Sequence, residues 1–128
     1  MSIQQIATDP DPYAPYLLSQ AVRVGDLILV SGQVGIDGDG ELVSVDDFEA
    51  QADQAFRNLS NVLEAGGSSM DRVAKVTIFL TDMANFPKVV ELRGRWFSPP
   101  WPADTIVEVS ALALPELEIE IEAIATAG

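Results

Sequence analysis

The sequence predicts an α+β fold, a mixed β-sheet with two helices packed on one face. Three observations carry that expectation. Short apolar runs rich in β-branched residues recur along the chain. One other segment instead repeats its apolar residues at steps of three and four, the helical period, and a second, opening near Asn85, tolerates a proline in its first turn as a helix does. The two kinds of segment are interspersed without regular strand-helix-strand alternation, which argues against a doubly wound parallel sheet. One domain spanning residues 1–128 accommodates them, because 128 residues suffice for one core and are too few for two.

Residues 17–33, "LLSQAVRVGDLILVSGQ", hold two apolar runs around the turn signal Gly25-Asp26 and predict a β-hairpin whose second strand ends at Ser31-Gly32-Gln33. The following "GIDGDGEL" places Asp37, Asp39 and Glu41 at alternate positions, as a calcium loop does. An EF-hand loop starting at Asp37 needs a glycine at position 42 and a glutamate at position 48, where the chain has Leu42 and Phe48, so a polar turn is expected. From Asp46 to Ala65 the residues Phe48, Ala52, Ala55, Phe56, Leu59, Val62 and Leu63 form one apolar stripe of a helix. Asp46 is the expected N-cap, with Glu49 three residues on, and Gly66-Gly67 supplies the stop.

"RVAKVTIFLT", residues 72–81, reads as a strand. A second helix begins near Asn85, tolerates Pro87 in its first turn, and runs to about Phe97. "SPPWPA" breaks the chain before two final strands, 104–112 and 117–125, joined by a turn around Pro115. In the last strand Leu117, Ile119 and Ile121 alternate with Glu118, Glu120 and Glu122, which assigns the three carboxylates to one face.

Composition narrows the chemistry. Twenty acidic residues against seven basic ones give a formal charge of −13. Such a field repels polyphosphate chains and anionic bilayers, so neither nucleic acid nor a membrane is an expected partner. No apolar run approaches the length of a membrane span, the opening residues show no secretory signal, and a cytoplasmic location is expected. Without cysteine or histidine there is no thiolate nucleophile, no Ser-His relay and no Cys or His zinc site. No metal or cofactor is expected, and any chemistry runs on carboxylates, hydroxyls, backbone groups and bound water.

The segments "SQAVRVGDLILVSGQ", "AQADQAFRNLSNVLEAGGSSMDRVAKVTIFLTDMANF" and "VEVSALALPELEIEIEAIA" resemble the RidA (YjgF, or Rid) family, in order from about Ser19 to Ala125. The resemblance implies a chorismate-mutase-like α+β fold that assembles into a homotrimer, with a ligand cleft between each pair of neighbouring subunits. It also implies hydrolysis of small enamines and imines to 2-oxo acids and ammonia without a cofactor.

On that resemblance Glu120, within "EIEAIA", matches the glutamate that positions and activates the hydrolytic water, and Ser31 and Gly32 match the cleft-lining "SGQ". Ile106 stands where a cysteine is common. The family's "GPYSQA" appears here as "APYLLSQA", which makes Tyr16 the candidate cleft tyrosine, and Phe86 and Thr77 are weaker cleft candidates. Where "WPADTIVEV" stands, the family reads Pro-Ala-Arg, and its arginine grips the substrate carboxylate. Here that position is Asp104.

Asp104 has three readings: a polar strand start, a repurposed cleft residue, or a lesion that leaves a non-catalytic ligand binder. If Asp104 and Glu120 face one small pocket, they repel a carboxylate-bearing imino acid by about 1–4 kcal/mol at intermediate dielectric. Arg93 and Arg95 either compensate in the cleft or sit at a helix C-terminus where they suit its dipole. Trp96 and Trp101 line the cleft or pack a core or interface. The functional expectation is an enamine/imine deaminase whose substrate is altered by Asp104, with a non-catalytic small-molecule-binding trimer as the alternative. A ribonuclease reading is disfavoured by net charge and by the absence of histidine.

Overall fold

The structure, a computed structural model, describes residues 2–128. Six strands and two helices follow in the order β1 (Ile3–Ile6), β2 (Ala21–Val24), β3 (Leu27–Gln33), α1 (Phe48–Ala65), β4 (Val73–Leu80), α2 (Phe86–Trp96), β5 (Ala103–Glu108) and β6 (Ile119–Thr126). They form one sheet of order β1-β2-β3-β6-β4-β5. Every pairing is antiparallel except β4 with β5, and α2 is the crossover that a parallel neighbour requires.

The period-2 pattern of the strands sorts the two faces. In β6 Ile119, Ile121, Ala123 and Ala125 are buried, and in β4 so are Val76, Ile78 and Leu80. Against them α1 lays Phe48, Ala52, Ala55, Phe56, Leu59, Val62 and Leu63, all buried. Each fully buried Leu, Ile or Phe contributes about 1.5–3 kcal/mol of transfer free energy, so this layer is the main source of stability. The opposite face carries no helix. It presents Glu120, Glu122 and Ile124 from β6 beside the exposed Leu27 and Leu29 of β3, with Leu29 opposite Ile124.

Three details depart from the sequence reading. The residue capping α1 is Asp47, whose extended backbone lets its carboxylate accept from the Ala50 amide at 3.2 Å. Asp46 lies in the left-handed region at φ 66° and cannot serve, because an N-cap needs extended geometry. The N-terminal strand β1 was not foreseen, since "IQQI" is too short and polar to signal a strand and is held by the edge of β2. The strand expected over 104–112 ends at Glu108, and β6 begins at Ile119 and not at Leu117. Leu117 is drawn instead into a second small apolar cluster with Tyr13, Val34 and Ile36.

Candidate functional site

Alternation in β6 puts Glu120 on the helix-free face, opposite Phe79 of β4. What distinguishes it from an ordinary solvated glutamate is the neighbouring strand. β3 pairs Val30 with Ala123 and Gln33 with Ile121, so Ser31 and Gly32 together span one residue of β6, a β-bulge. The bulge carries Gly32 over the Glu120 side chain. A Cβ on Gly32 would stand 2.2 Å from Glu120 Oε2, so only a hydrogen fits. The Tyr13 phenol donates to the Gly32 carbonyl and ties this loop to the segment before β2.

Tyr13, Tyr16, Leu18, Gly32, Leu114 and Glu120 line a cavity of about 400 Å³. Glu120 is partly buried, and no donor among the described residues reaches its carboxylate. No buried side-chain polar atom of the described residues lacks a partner, so the unpaired Glu120 oxygens open onto the cavity. Burial pushes the Glu120 carboxyl above its usual range, and the like charge of Glu122 pushes it further. The Tyr13 phenol is held far above its usual range, first by burial and then by the charges of Glu120 and Asp11, so it stays a hydrogen-bond donor at any working pH. Ser31 does not join the cavity lining. Its hydroxyl donates to the Ser19 carbonyl at 2.6 Å and fixes the approach to the bulge.

Asp104 lies elsewhere. In the parallel register it stands beside Val76, and Ile106 beside Ile78, both core residues, so Asp104 and Ile106 point to the helix side. There Arg93, in the last turn of α2, donates through Nε to Oδ2 and through Nη2 to Oδ1, each at 2.8 Å. The pair is largely enclosed, with 24% and 17% of the two side chains exposed. The Arg93 guanidinium also lies over the Phe86 ring, 5.6 Å from its centre. Of the roles that the sequence left open for Arg93, compensation of the Asp104 charge is the one seen here: the carboxylate at position 104 is met by a guanidinium from the facing helix. A second cavity, of about 420 Å³, opens on the pair between Val90, Phe97, Trp101 and Pro102.

Within one chain Glu120 and Asp104 therefore occupy opposite faces of the sheet and different cavities. Only a second copy can bring them to one ligand. Tyr16 sits at the mouth of the Glu120 cavity with most of its surface exposed, Thr77 stands on the same face opposite Glu122, and Phe86 belongs with Arg93. Arg95 does not compensate any cleft charge, since it pairs with Asp53 at 3.5 Å. The Trp96 indole N–H also donates to Asp53, and its ring stacks on Phe56, so it is packing. Tyr13 and Arg93 are the functional candidates that the sequence underweighted. The only signal for Tyr13 was an aromatic among prolines in "DPDPYAP". Among the described residues no cluster of three potential metal ligands exists, and no helix is long and apolar enough to cross a membrane.

A mixed six-stranded sheet helical on one side, with an unpaired carboxylate under a glycine bulge on the other, defines a class of small α+β proteins with a cavity on the open face of the sheet. The family model described as Endoribonuclease L-PSP matches residues 6–127. The 2-iminobutanoate/2-iminopropanoate deaminase of Mus musculus is 40% identical over 124 residues, covering 96% of this chain and 90% of that one. Reactive Intermediate Deaminase A of the Arabidopsis thaliana chloroplast is 38% identical over 122 residues, 94% of this chain and 64% of the longer plant protein. Among solved structures, RidA from an Antarctic Psychrobacter superposes with a TM-score of 0.88 at 40% identity, covering 96% of this chain and 98% of that one. The yeast protein YEO7 does so at 0.92 and 36%, covering 99% and 100%. The chain belongs to the RidA/YjgF family.

Proposed function

We propose that this chain hydrolyses small reactive imines and enamines to the carbonyl compound and ammonia, in clefts formed between the copies of a homotrimer and without a cofactor. The observation that carries the proposal is Glu120: a carboxylate of raised proton affinity, unpaired, aimed into a cavity and held under Gly32. Addition of water to a C=N carbon needs a group that takes a proton from the water as the C–O bond forms and returns one to nitrogen as the C–N bond breaks. A carboxylate whose proton affinity burial has raised does both. One water is consumed and one ammonia released, and Glu120 ends in the state in which it began. Relatives that carry the name 2-iminobutanoate/2-iminopropanoate deaminase support the reaction class.

The homotrimer is supported by the helix-free face. Leu27, Leu29, Val107 and Ile124 are exposed there, an apolar surface that a monomer would leave to water. In the assembly the Arg93–Asp104 edge of one copy meets the Glu120 cavity of the next, which unites the two half-sites that one chain keeps apart. Substrate choice then differs from that of relatives with an arginine on β5, because here the position carries an ion pair instead of a lone cation. Substrates are small, and neither nucleic acid nor a membrane takes part. The name endoribonuclease on the family model does not extend to this chain, whose charge of −13 opposes a polyanion.

Ammonia release from a panel of small imines generated in situ, 2-iminobutanoate and 2-iminopropanoate together with imines that lack a carboxylate, is the test. The proposal expects release above the spontaneous rate, in proportion to protein. Saturable ligand binding with no ammonia above that rate would replace the enzyme with a non-catalytic binding trimer.

A further inference from the structure

Gln33, the last residue of β3, stands opposite the buried Ile121, so its side chain lies on the helix side of the sheet, away from Glu120. Only 2% of it is exposed. Its Nε2 donates to the Ser31 carbonyl at 3.2 Å, which fixes the amide, since the reverse orientation would set two oxygens together. Oε1 receives no donor among the described residues. Because none of their enclosed side-chain oxygens lacks a partner, Oε1 reaches open space, and the space that Gln33 borders is a cavity of about 370 Å³ beside α1. Tyr13 borders both this cavity and that of Glu120.

The rest of the wall is rich in acceptors. Gln54 Nε2 donates to Asn58 Oδ1 at 2.8 Å, and the Asn58 amide donates to the Val34 and Ile36 carbonyls, which leaves Gln54 Oε1 with no donor among the described residues. Asp37, in the turn that fails as a calcium loop, takes the Asp39 and Glu41 amides on Oδ1 and none of their kind on Oδ2. Gln20 accepts from the Thr8 amide at 2.6 Å and so holds Asp9 at the mouth. The charged residues of the lining are Asp9 and Asp37, both exposed acids, with no lysine or arginine among them.

We propose that this cavity binds a small primary alkylammonium, its N–H donors directed to the Gln33 and Gln54 oxygens, its charge balanced by Asp9 and Asp37, and its short tail set against Ile36 and Val62. An ammonium has three donors and no acceptor, the complement of such a wall. A carboxylate or phosphate would meet oxygens and two negative charges, and an alcohol brings one donor and no charge. The site goes beyond the proposed reaction and does not depend on it.

Calorimetry on the whole chain tests this with butylammonium, tetramethylammonium and butan-1-ol, in about 0.15 M potassium chloride to screen the field of the −13 charge. Butylammonium should bind saturably and about tenfold more tightly than either of the others, because tetramethylammonium keeps the charge without N–H donors and butanol keeps a donor without the charge. Gln33→Met and, separately, Gln54→Met remove one acceptor each at similar volume and should weaken butylammonium by about fivefold or more. Glu120→Gln should leave its affinity unchanged. Equal binding of the two cations would reduce the effect to surface charge, full affinity in both methionine variants would take the amine out of this cavity, and loss in Glu120→Gln would move it to the other one; each overturns the assignment. Should Gln33→Met fail to fold, Gln54→Met and the Gln33 side-chain amide resonance of the wild type decide, the assignment requiring that resonance to shift on titration with butylammonium. Absence of ammonia release from imines would remove the proposed reaction and leave this site standing, and absence of butylammonium binding would do the reverse.

Discussion

Placing an arginine at position 104, where the family's anion-gripping residue stands, should damage this protein unless Arg93 is changed with it. Asp104→Arg deletes two charge-assisted hydrogen bonds of 2.8 Å, each worth about 1.5–3 kcal/mol when well enclosed. It also sets two guanidiniums side by side, where charges about 4 Å apart repel by ~4 kcal/mol at an effective dielectric of 20. Both side chains retain some exposure, 24% and 17%, and the new arginine can swing toward solvent, so the net loss should be about 2–4 kcal/mol. Against a total stability of about 5–15 kcal/mol this is large. At roughly 3–5 °C per kcal/mol for a chain of this size, it lowers Tm by about 10 °C. The charge-swapped pair, Arg93→Asp with Asp104→Arg, restores the attraction and should recover more than half of the loss. Only a fraction is forfeited by an aspartate near a helix C-terminus, about 0.3–1 kcal/mol. Differential scanning calorimetry of wild type, the two single variants Asp104→Arg and Arg93→Asp, and the swapped pair closes the cycle. A single Asp104→Arg variant as stable as wild type, or a swapped pair no better than the single, would refute the reasoning, because the ion pair would then not hold the two elements together.

Other outcomes follow from the Glu120 half of the site. Gly32→Ala forces its Cβ against Glu120, but the atoms in the way belong to the glutamate side chain; Tm should change little, while displacement of the carboxylate by about 1 Å lowers kcat on the order of 100-fold. The sign of the pH effect is set by the raised pKa: the proton is bound more tightly in the folded chain, so this contribution to stability is complete below the unfolded pKa and lost as pH rises through the folded one. Glu120→Gln should therefore raise Tm relative to wild type at neutral pH and converge with it at acid pH, which parallel melts across pH will show. Light scattering should give three times 13.7 kDa. Leu29→Glu together with Ile124→Glu, which charges an exposed cross-strand pair, should yield a folded monomer without activity.

Much of this architecture was legible because its elements repeat cleanly. The stripe from Phe48 to Leu63 and the alternation from Ile119 to Glu122 each satisfy one period, and both occur where the periodicity placed them. Glu120 and Glu122 do share the helix-free face. Register and bulges were not legible. Nothing in "VSGQ" announces that Ser31 and Gly32 together cross one residue of β6, yet that irregularity puts Gly32 on Glu120. The pairing of Asp104 with Arg93 was hidden for a different reason. It joins residues 11 apart through a broken loop and depends on which face of β5 turns toward α2, a parity set by pairing with β4 and not by the β5 sequence alone. Hence a residue that looks from the sequence like loss of a binding group is, in three dimensions, one half of an ion pair. Tyr13 was passed over for Tyr16 because family spacing favoured the latter, whereas the chain buries the former against Gly32.

The central claim, that Glu120 performs acid–base chemistry on a C=N bond, is tested most directly by kcat/KM for imine hydrolysis in wild type and Glu120→Gln, both assayed as folded assemblies of equal mass. Glutamine keeps the shape and one acceptor but cannot take a proton, so the account predicts a loss of about 10²–10⁴-fold. Hydrolysis by the glutamine variant within a factor of about three of wild type would contradict it, since removal of the acid–base group would then not matter to the reaction.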